Sequence, residues 1–453
     1  MKNRIRLTAL VLVLVLVLTV ACSPDGSPSA TTGEERTAKE TKTETKENEK
    51  PGIGPTKGKR ALKSEAELGI KHPIRFATGT RIISSEDALI EKSYEVPVRL
   101  DDGHRLVLAE PLAKGKLMAL RFRVGKGEDF WLEGQMETYI PDAGYIPDAI
   151  GYYDLEKGEL VTVAEVGKGA VQTLKDMLAL SLYPLDEGHF LYENFTEDKL
   201  EYSVYTVKDG SLKTIATYHF EPDEVLYYAA PPYTTGDVFY LFELVSEDSV
   251  MVHAYDAKTY KELWAKEGGQ VNLPFEGDVV HTEEYMDADE HWWKDLTIGE
   301  DMFTWDVSGG EILTEFGVGT DPDGVYTLSR YENTDALEED LTEEDKKSDL
   351  IVPYYAVHRL PQGDEIAKMR GEFLAMQVSG PWMLLARSMW GEEEMSRPIY
   401  LVTPGKHEAI RIESGASVYN AELLPFDRYL VVHDVTPVEA KTTTIRTYEP
   451  REK

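Results

Sequence analysis

One acidic and aromatic segment has the residue types of a binding site. It runs from Glu283 to Trp293, and its candidate binding residues are Asp287, Asp289, His291, Trp292 and Trp293. Carboxylates can hold Ca²⁺ or a cationic group, and an indole ring can stack on a sugar or a cation. The alternative is structural, with one tryptophan packed inside the fold and the acids solvating a loop.

A second segment, Asp321-Pro-Asp-Gly324, resembles the start of a calcium-binding turn. It lacks the later ligands of a complete loop, so an ordinary turn is the favoured interpretation. Ca²⁺ is therefore the only cofactor that we consider, and we predict no metal site from this pattern alone.

The motifs of common catalytic sites are missing from the sequence. None of the ten histidines forms a His-x-His or His-Glu-x-x-His pair, and there is no Gly-x-Ser-x-Gly elbow, Walker loop or Gly-x-Gly-x-x-Gly sequence. We therefore predict no catalytic residue from local motifs. Residues on distant loops can still assemble a site, so this absence lowers the expectation of an enzyme without excluding one.

An acidic insertion at residues 335–347 lengthens one repeat of the chain described below. Leu337 and Leu341 are four residues apart, and the Thr342-Glu-Glu-Asp sequence resembles a helix start, so a short amphipathic helix is possible here. One interpretation is a docking element on one face of the fold. The other is a solvated loop.

The first 22 residues have the layout of an export signal. Lys2, Arg4 and Arg6 precede an apolar run over residues 7–20, interrupted only by threonines. Fourteen residues are too few for a bilayer span of about 20 residues but suit a signal peptide. The run ends in Thr19-Val-Ala-Cys22, which contains the only cysteine of the chain.

This ending resembles the lipobox of bacterial lipoproteins, although Thr19 stands where leucine is favoured. The resemblance implies cleavage after residue 21 and attachment of lipid to Cys22, with palmitate among the acyl chains. The alternative is an ordinary signal peptide, or an uncleaved anchor, with an incidental cysteine. Two or three acyl chains would hold the protein to the cell membrane or envelope, with its body outside the cytoplasm.

Residues 22–60 are predicted to be a disordered tether, because they contain almost no apolar side chains. The whole chain has a net charge of −34, the signal contributes +3 and the tether +1, so the body has about −38. Such a surface repels nucleic acid and favours basic or cationic partners. With a single cysteine, no disulfide can form within the chain.

Residues 61–453 are predicted to be one all-β body built from a repeat. A strand, a polar turn and a second strand recur about every 50 residues, at 151–163, 202–215, 252–264, 303–313, 356–366 and 399–410. Such a period with four short strands is typical of a β-propeller blade, of which each hairpin would be the outer pair. Turns need φ > 0, which explains Gly158 and Gly210.

The repeat count predicts seven four-stranded blades over residues 116–450, with eight and six as alternatives. The strand pair at about 95–108 has no blade of its own. We expect it to pair with residues 442–448, complete the last blade and close the ring, which removes exposed sheet edges.

The repeats resemble quinoprotein and WD40-like propeller repeats. The best match is Tyr255-Asp-Ala-Lys-Thr-Tyr-Lys-Glu-Leu-Trp264, in which Tyr260 stands where a glycine is common. Only this copy matches well, so the resemblance implies the architecture and not quinone binding.

Two functions fit this architecture. The first is a membrane-anchored recognition module, expected to be a monomer, that binds a protein, peptide or glycan outside the cytoplasm. The second is an extracytoplasmic hydrolase or lyase that acts on a polysaccharide or peptide and uses loop carboxylates of the propeller as acid and base.

Overall fold

The fold is known from a computed structural model that describes residues 73–451 with gaps. The gaps are at 101–102, 124–146, 166–179, 196–198, 220–231, 235–236, 247–248, 269–271, 276–277, 287–291, 299–300, 307–310, 319–324, 332–353, 361–363, 371–373, 380–381, 388–397, 414–419, 426 and 435–439. The predicted signal peptide and tether therefore lie outside the described residues. No helix in the described ranges is long and apolar enough to cross a membrane.

The described residues form seven β-sheets that follow one another along the chain. In each of the first four, the strands are hydrogen-bonded in sequence order. Sheet 1 contains β4 (His104–Ala113), β5 (Lys116–Arg123), β6 (Pro147–Asp154) and β7 (Glu159–Glu165). Sheet 2 contains β8 (Leu180–Asp186), β9 (His189–Phe195), β10 (Lys199–Thr206) and β11 (Ser211–His219). Sheet 3 contains β12 (Tyr233–Thr234), β13 (Val238–Ser246), β14 (Ser249–Asp256) and β15 (Glu262–Gly268). Sheet 4 contains β16 (Asn272–Phe275), β17 (Asp278–Met286), β18 (Trp292–Ile298) and β19 (Asp301–Asp306).

The last three sheets each add one strand from the N-terminal part of the body. Sheet 5 contains β20 (Glu311–Val318), β21 (Val325–Tyr331), β22 (Tyr354–Leu360) and β23 (Asp364–Arg370), with β1 (Arg75–Phe76) at its edge. Sheet 6 contains β24 (Leu374–Ser379), β25 (Trp382–Arg387), β26 (Pro398–Thr403) and β27 (Glu408–Glu413), with β2 (Arg81–Ser84) at its edge. Sheet 7 contains β28 (Asn420–Leu423), β29 (Leu430–His433), β30 (Thr442–Pro450) and, at its edge, β3 (Leu89–Pro97). A one-turn helix, α1 (Ser85–Ala88), joins β2 to β3, and a 3₁₀ turn covers Pro404–Lys406.

The sheets are arranged as a closed ring. Each sheet contacts the next, and the first strand of sheet 7, β28, contacts the first strand of sheet 1, β4. Several other first strands also contact one another, including β4 with β8 and β20 with β24, so these strands form the inner layer of the ring. The all-β propeller class is confirmed. The number of blades in the complete chain stays a prediction.

Burial follows from packing each sheet between two others. The central strands β26 and β29 are buried at nearly every position, because both of their faces contact a neighbouring sheet. The outer strand β11 is mostly exposed or half-buried. Apolar clusters fill the spaces between sheets, and one joins Leu106 and Leu117 of sheet 1 to Val431 and Ile445 of sheet 7.

The turn predictions hold where the turns are described. Gly158 and Gly210 both have φ of 69°, in the left-handed region that favours glycine. Tyr260, at the position where the related repeats have glycine, also has a positive φ, 57°. Asp256 stabilises that turn, because its Oδ1 accepts hydrogen bonds from the backbone N–H groups of Lys258 and Thr259 and from the Thr259 hydroxyl.

Two predicted features need correction. The segment 303–313 is not a hairpin, since β19 ends sheet 4 and β20 begins sheet 5; the outer pair of sheet 4 is β18 and β19. The strand pair at 95–108 is split between two sheets. Its first arm belongs to β3, which pairs with β30 in sheet 7, and its second arm begins β4 of sheet 1. In both places a turn separates two segments in which apolar and polar residues alternate. This pattern is the same whether the two strands pair in one sheet or belong to neighbouring sheets.

Closure of the ring depends on nine residue pairs between β3 and β30, from Leu89–Pro450 to Pro97–Thr442. Leu89 and Val96 of β3 are almost completely buried, one against sheet 6 and the other against sheet 1. Outside the apolar core, Lys92 and Tyr94 of β3 both contact Glu156 of sheet 1, at 2.9 and 2.7 Å. The closing strand therefore links sheet 7 to both of its neighbours.

We predict that deleting residues 89–97 destabilises the entire ring by at least about 3 kcal/mol, because two buried side chains and a full strand pairing are lost. Thermal and urea unfolding of the full chain and the deletion variant measure the effect. Deletion of residues 73–84, which removes only β1 and β2, is the control and should cost less. An unchanged melting curve after loss of β3 would contradict strand closure.

Candidate functional site

The acidic and aromatic segment predicted from the sequence forms the end of a hairpin. Trp292 and Trp293 begin β18, and their backbones pair with Met286 and Tyr285 of β17. Asp287, Asp289 and His291 lie outside the described residues. The structure therefore gives the backbone position of two of the five candidate residues, and the binding site stays a prediction.

The other predicted features also fall outside the described ranges. These are Cys22, the Asp321–Gly324 turn and the insertion at 335–347. Within the described ranges, no group of three or more His, Cys, Asp or Glu side chains could hold a metal ion.

A pair of glutamates marks the inner end of the junction between sheets 7 and 1. Glu110 lies on β4, in a stretch where the pairing with β5 is irregular between Leu108 and Pro111. Glu422 lies on β28, which contacts β4. The topology thus brings together two strands whose glutamates are 312 positions apart in the sequence.

Both carboxyl groups hold protons more tightly than a free glutamate. Burial raises the pKa of Glu110 to about 7. Burial, and then the negative charge of Glu110, raise the pKa of Glu422 to about 8. Desolvation and a neighbouring negative charge both raise the pKa of a carboxyl group, whereas a salt bridge lowers it.

His433 is buried on the same face of sheet 7 as Glu422. The register pairs Asn420 with His433 and Glu422 with Val431, and residues directly opposite each other in antiparallel strands point to the same side. Burial lowers the pKa of His433 to about 4, despite the neighbouring Asp434. His433 is therefore neutral at physiological pH. Its Nε2 and the Oε2 of Glu422 are both buried without a hydrogen-bond partner in the described structure.

A second set of polar side chains connects strands β13, β14 and β15 of sheet 3. The His253 ring lies between two carboxylates, with Nε2 at 3.0 Å from Glu243 and Nδ1 at 3.2 Å from Glu262. The Tyr255 hydroxyl also donates to Glu262, at 3.4 Å. Both ring nitrogens thus face carboxylate oxygens on the two neighbouring strands, and the ring connects β13, β14 and β15. A structural role fits this arrangement better than catalysis.

Tyrosines extend this polar group toward sheet 2. The Tyr218 ring lies 5.1 Å from His253, and its hydroxyl is 3.4 Å from that of Tyr255. Burial is the main reason why the pKa of Tyr218 is raised, so the phenol remains protonated.

In sheet 2, the fully buried Glu193 accepts hydrogen bonds from Tyr183 and Tyr202, at 2.9 and 3.1 Å. These bonds offset part of the cost of burying a carboxylate and connect the strands of the sheet.

The paired glutamates are the group that the sequence did not reveal. Glu110 stands within Ala-Glu-Pro and Glu422 within Ala-Glu-Leu, and neither tripeptide is a motif. The only available signal was a single acid inside an otherwise apolar strand, at 106–113 and again at 421–424.

No protein-family model matches this chain, and no curated protein matches it either. Solved structures do match. The β-propeller domain of the Trilobed protease from Pyrococcus furiosus has 8% identity and a TM-score of 0.43, over 77% of this chain and 95% of that domain. The oligogalacturonate lyase of Vibrio parahaemolyticus has 12% identity and a TM-score of 0.43, over 80% and 96%.

A third match is the acylaminoacyl peptidase of Pyrococcus horikoshii, with 12% identity and a TM-score of 0.41. The alignment covers 72% of this chain but only 49% of the peptidase, so this chain spans about half of that protein's length. Similarity at this level concerns architecture and supplies no argument for a shared activity.

We predict that Glu422→Gln makes folding stability less dependent on pH. Unfolded glutamate titrates near 4.5 and folded Glu422 near 8, so between these values the folded chain holds a proton that the unfolded chain releases. Stability of the wild type therefore falls as pH rises through this window, and the loss is complete above about pH 8. Because glutamine cannot ionise, the variant should be more stable than the wild type at pH 9, by at least about 1 kcal/mol.

Urea unfolding at pH 5, 7 and 9 measures this difference. Glu156→Gln is a suitable control, because hydrogen bonds from Tyr94 and Lys92 lower the pKa of Glu156 and its removal should therefore cost stability near neutral pH. Parallel pH profiles for the wild type and Glu422→Gln would show that this carboxyl does not titrate as described.

Proposed function

We propose that this chain is a lipid-anchored recognition module that works outside the cytoplasm. Residues 1–21 direct export, Cys22 receives lipid, residues 22–60 act as the tether, and the propeller binds a protein, peptide or glycan. The positive n-region, the short apolar run and the Ala21-Cys22 junction support the first two steps.

The observation that most supports this proposal is where the chain enters the ring. The first strands after the tether, β1, β2 and β3, are added to the outer edges of sheets 5, 6 and 7. A membrane anchor attached through these strands holds the propeller by its rim. The first strands of the sheets lie away from these edges, so this attachment leaves the inner layer of the ring uncovered, which suits a recognition module.

The charge of the body indicates what kind of partner fits. With about −38 on the residues after the tether, long-range attraction favours a basic protein, a basic peptide or another cationic ligand. The same negative charge repels the phosphate groups of nucleic acid. An acidic surface that serves only solubility is the competing explanation, and salt dependence distinguishes the two.

The second candidate function, a hydrolase or lyase, is favoured by one observation, the pairing of Glu110 and Glu422. Two carboxyls with pKa values raised to about 7 and about 8 could act as acid and base in glycoside or peptide chemistry. The two residues lie on inner strands and not on loops. Glu422→Gln would abolish turnover by such an enzyme, whereas a recognition module would keep its ligand.

We predict that Cys22→Ser abolishes lipidation and moves the protein out of the membrane fraction, because the thiol is the acceptor of the lipid. Cell fractionation and incorporation of labelled palmitate measure the change. Ser23→Ala is the matched control and should stay in the membrane fraction. A Cys22→Ser protein that still incorporates palmitate would overturn the proposed anchor.

We predict that a partner captured from envelope extracts associates more slowly at high salt. The Debye length shortens from about 10 Å at 0.1 M to about 3 Å at 1 M, so the steering field is lost. The on-rate should fall at least about tenfold over this range. Surface plasmon resonance with the immobilised full chain measures the association rate.

The same experiment tests whether the insertion docks the partner. Six of its acids are neutralised together, namely Glu338, Glu339, Asp340, Glu343, Glu344 and Asp345. The control variant neutralises Glu44, Glu47 and Glu49 of the tether. If the association rate changes neither with salt nor with the six substitutions, the acidic surface serves solubility and does not attract the partner.

A further inference from the structure

The outer edges of sheets 5 and 6 each hold a fifth strand that comes from the N-terminal part of the body. β1 pairs with β23 over two residues, and β2 pairs with β27 over four. Extended peptides are recognised in the same way when they add a strand to an exposed sheet edge. The ring therefore shows, within its own chain, what kind of segment its outer edges accept.

The contacts of β2 describe that segment. The backbone N–H of Arg81 donates a hydrogen bond to the carbonyl oxygen of His407, at 2.8 Å. The Arg81 guanidinium forms an ion pair with Glu408, the first residue of β27. Two isoleucines follow in β2, and they lie opposite Ala409 and Ile410 in a parallel register. The edge of β27 thus holds a basic residue followed by two β-branched residues.

Strand β7 of sheet 1 begins in the same way as β27. In both sheets the turn before the outer strand ends in a residue with positive φ, which is Gly158 in sheet 1 and His407 in sheet 6. A glutamate follows directly and begins the outer strand, namely Glu159 in β7 and Glu408 in β27. The carbonyl group and the carboxylate that hold Arg81 on sheet 6 therefore have counterparts on sheet 1.

The outer side of β7 is an open edge, since β6 is the only strand that pairs with β7 in the described ranges. The sequence of β7 contains no lysine and no proline. These are residues with which proteins commonly protect an edge strand from pairing with other chains. The outer strands β11 and β15 do contain such protection, at Lys213 and Lys266. The chemistry of β7 therefore permits the addition of a further strand.

The charge of β7 favours a basic segment. Glu159 and Glu165 are exposed at its two ends, and the strand has no basic residue. Glu159 does lie 3.5 Å from Lys157, but the same lysine is 3.4 Å from Asp154. Ion pairs between exposed groups contribute little, so an incoming arginine can take the place of Lys157 at Glu159.

We propose that β7 binds an extended segment of a partner protein as a parallel fifth strand, with an arginine opposite Glu159 and β-branched residues opposite Leu160 and Val161. Residues 159–162 pair with β6 without a register shift, and β2 covers the same number of residues on β27. Backbone hydrogen bonds provide the affinity, and the acidic ends select a basic partner. This inference rests on the proposed recognition function and deepens it by naming the site and the class of partner.

Fluorescence anisotropy with a labelled synthetic peptide tests the site on the full chain in detergent. The probe is Gly-Thr-Arg-Ile-Ile-Ser-Ser with blocked ends, which is the sequence of residues 79–85. Glu159→Lys should weaken binding of this probe at least about tenfold, because repulsion replaces the ion pair. Glu86→Lys makes the same change of charge at an exposed position of α1 and should bind the probe like the wild type. A melting curve checks that both variants are folded.

A second probe, N-methylated at both isoleucines, keeps the arginine but lacks the N–H groups that a strand needs, so it should not bind. Hydrogen–deuterium exchange should slow at residues 159–165 when the unmodified probe is bound. No binding by the wild type, an unchanged affinity of Glu159→Lys, equal binding of the methylated probe, or protection confined to other sheets would each overturn the site. None of these results bears on lipidation of Cys22, so the proposed function is tested separately.

Discussion

The pairing of β3 with β30 is the interaction on which the rest of this structure depends. Central strands of the described sheets are buried on both faces, as strands β26 and β29 illustrate. An open arc of such sheets would expose one face of its first sheet and one face of its last to water. The closing strand prevents this, because Val96 joins the cluster shared with sheet 1 while Leu89 joins the cluster shared with sheet 6. Hydrogen bonding between the two ends of the chain thus protects hydrophobic contacts all around the ring.

The junction that this pairing creates combines opposite kinds of electrostatics. Lys92 lies beside Glu156 and Lys114 beside Asp427, and such exposed ion pairs contribute little each. On the inner strands of the same two sheets, burial raises the pKa values of Glu110 and Glu422 instead. The apolar cluster that the two sheets share supplies the hydrophobic burial that holds the junction together.

The sequence was sufficient to predict the repeat, because a hairpin turn requires particular residue types at a few neighbouring positions. The left-handed conformation at Gly158, at Gly210 and even at Tyr260 is set by a few neighbouring residues. The error at 303–313 has the opposite origin, since whether two strands pair or separate into different sheets is decided by packing that the local pattern does not encode. Glu283 and Glu284, with which the acidic and aromatic segment begins, belong to strand β17. Glu110 and Glu422 could not be matched at all, because their proximity exists only after the ring has closed.

The way in which the N-terminal strands are attached has a mechanical consequence. A pull on the chain from before residue 73 would reach the body first at β1, which has two paired residues, then at β2 with four, and finally at β3 with nine. The two short strands have the fewest paired residues, so they would separate from sheets 5 and 6 before the closing strand bears any load. The pairing that shuts the ring is therefore the last of the three to come under tension.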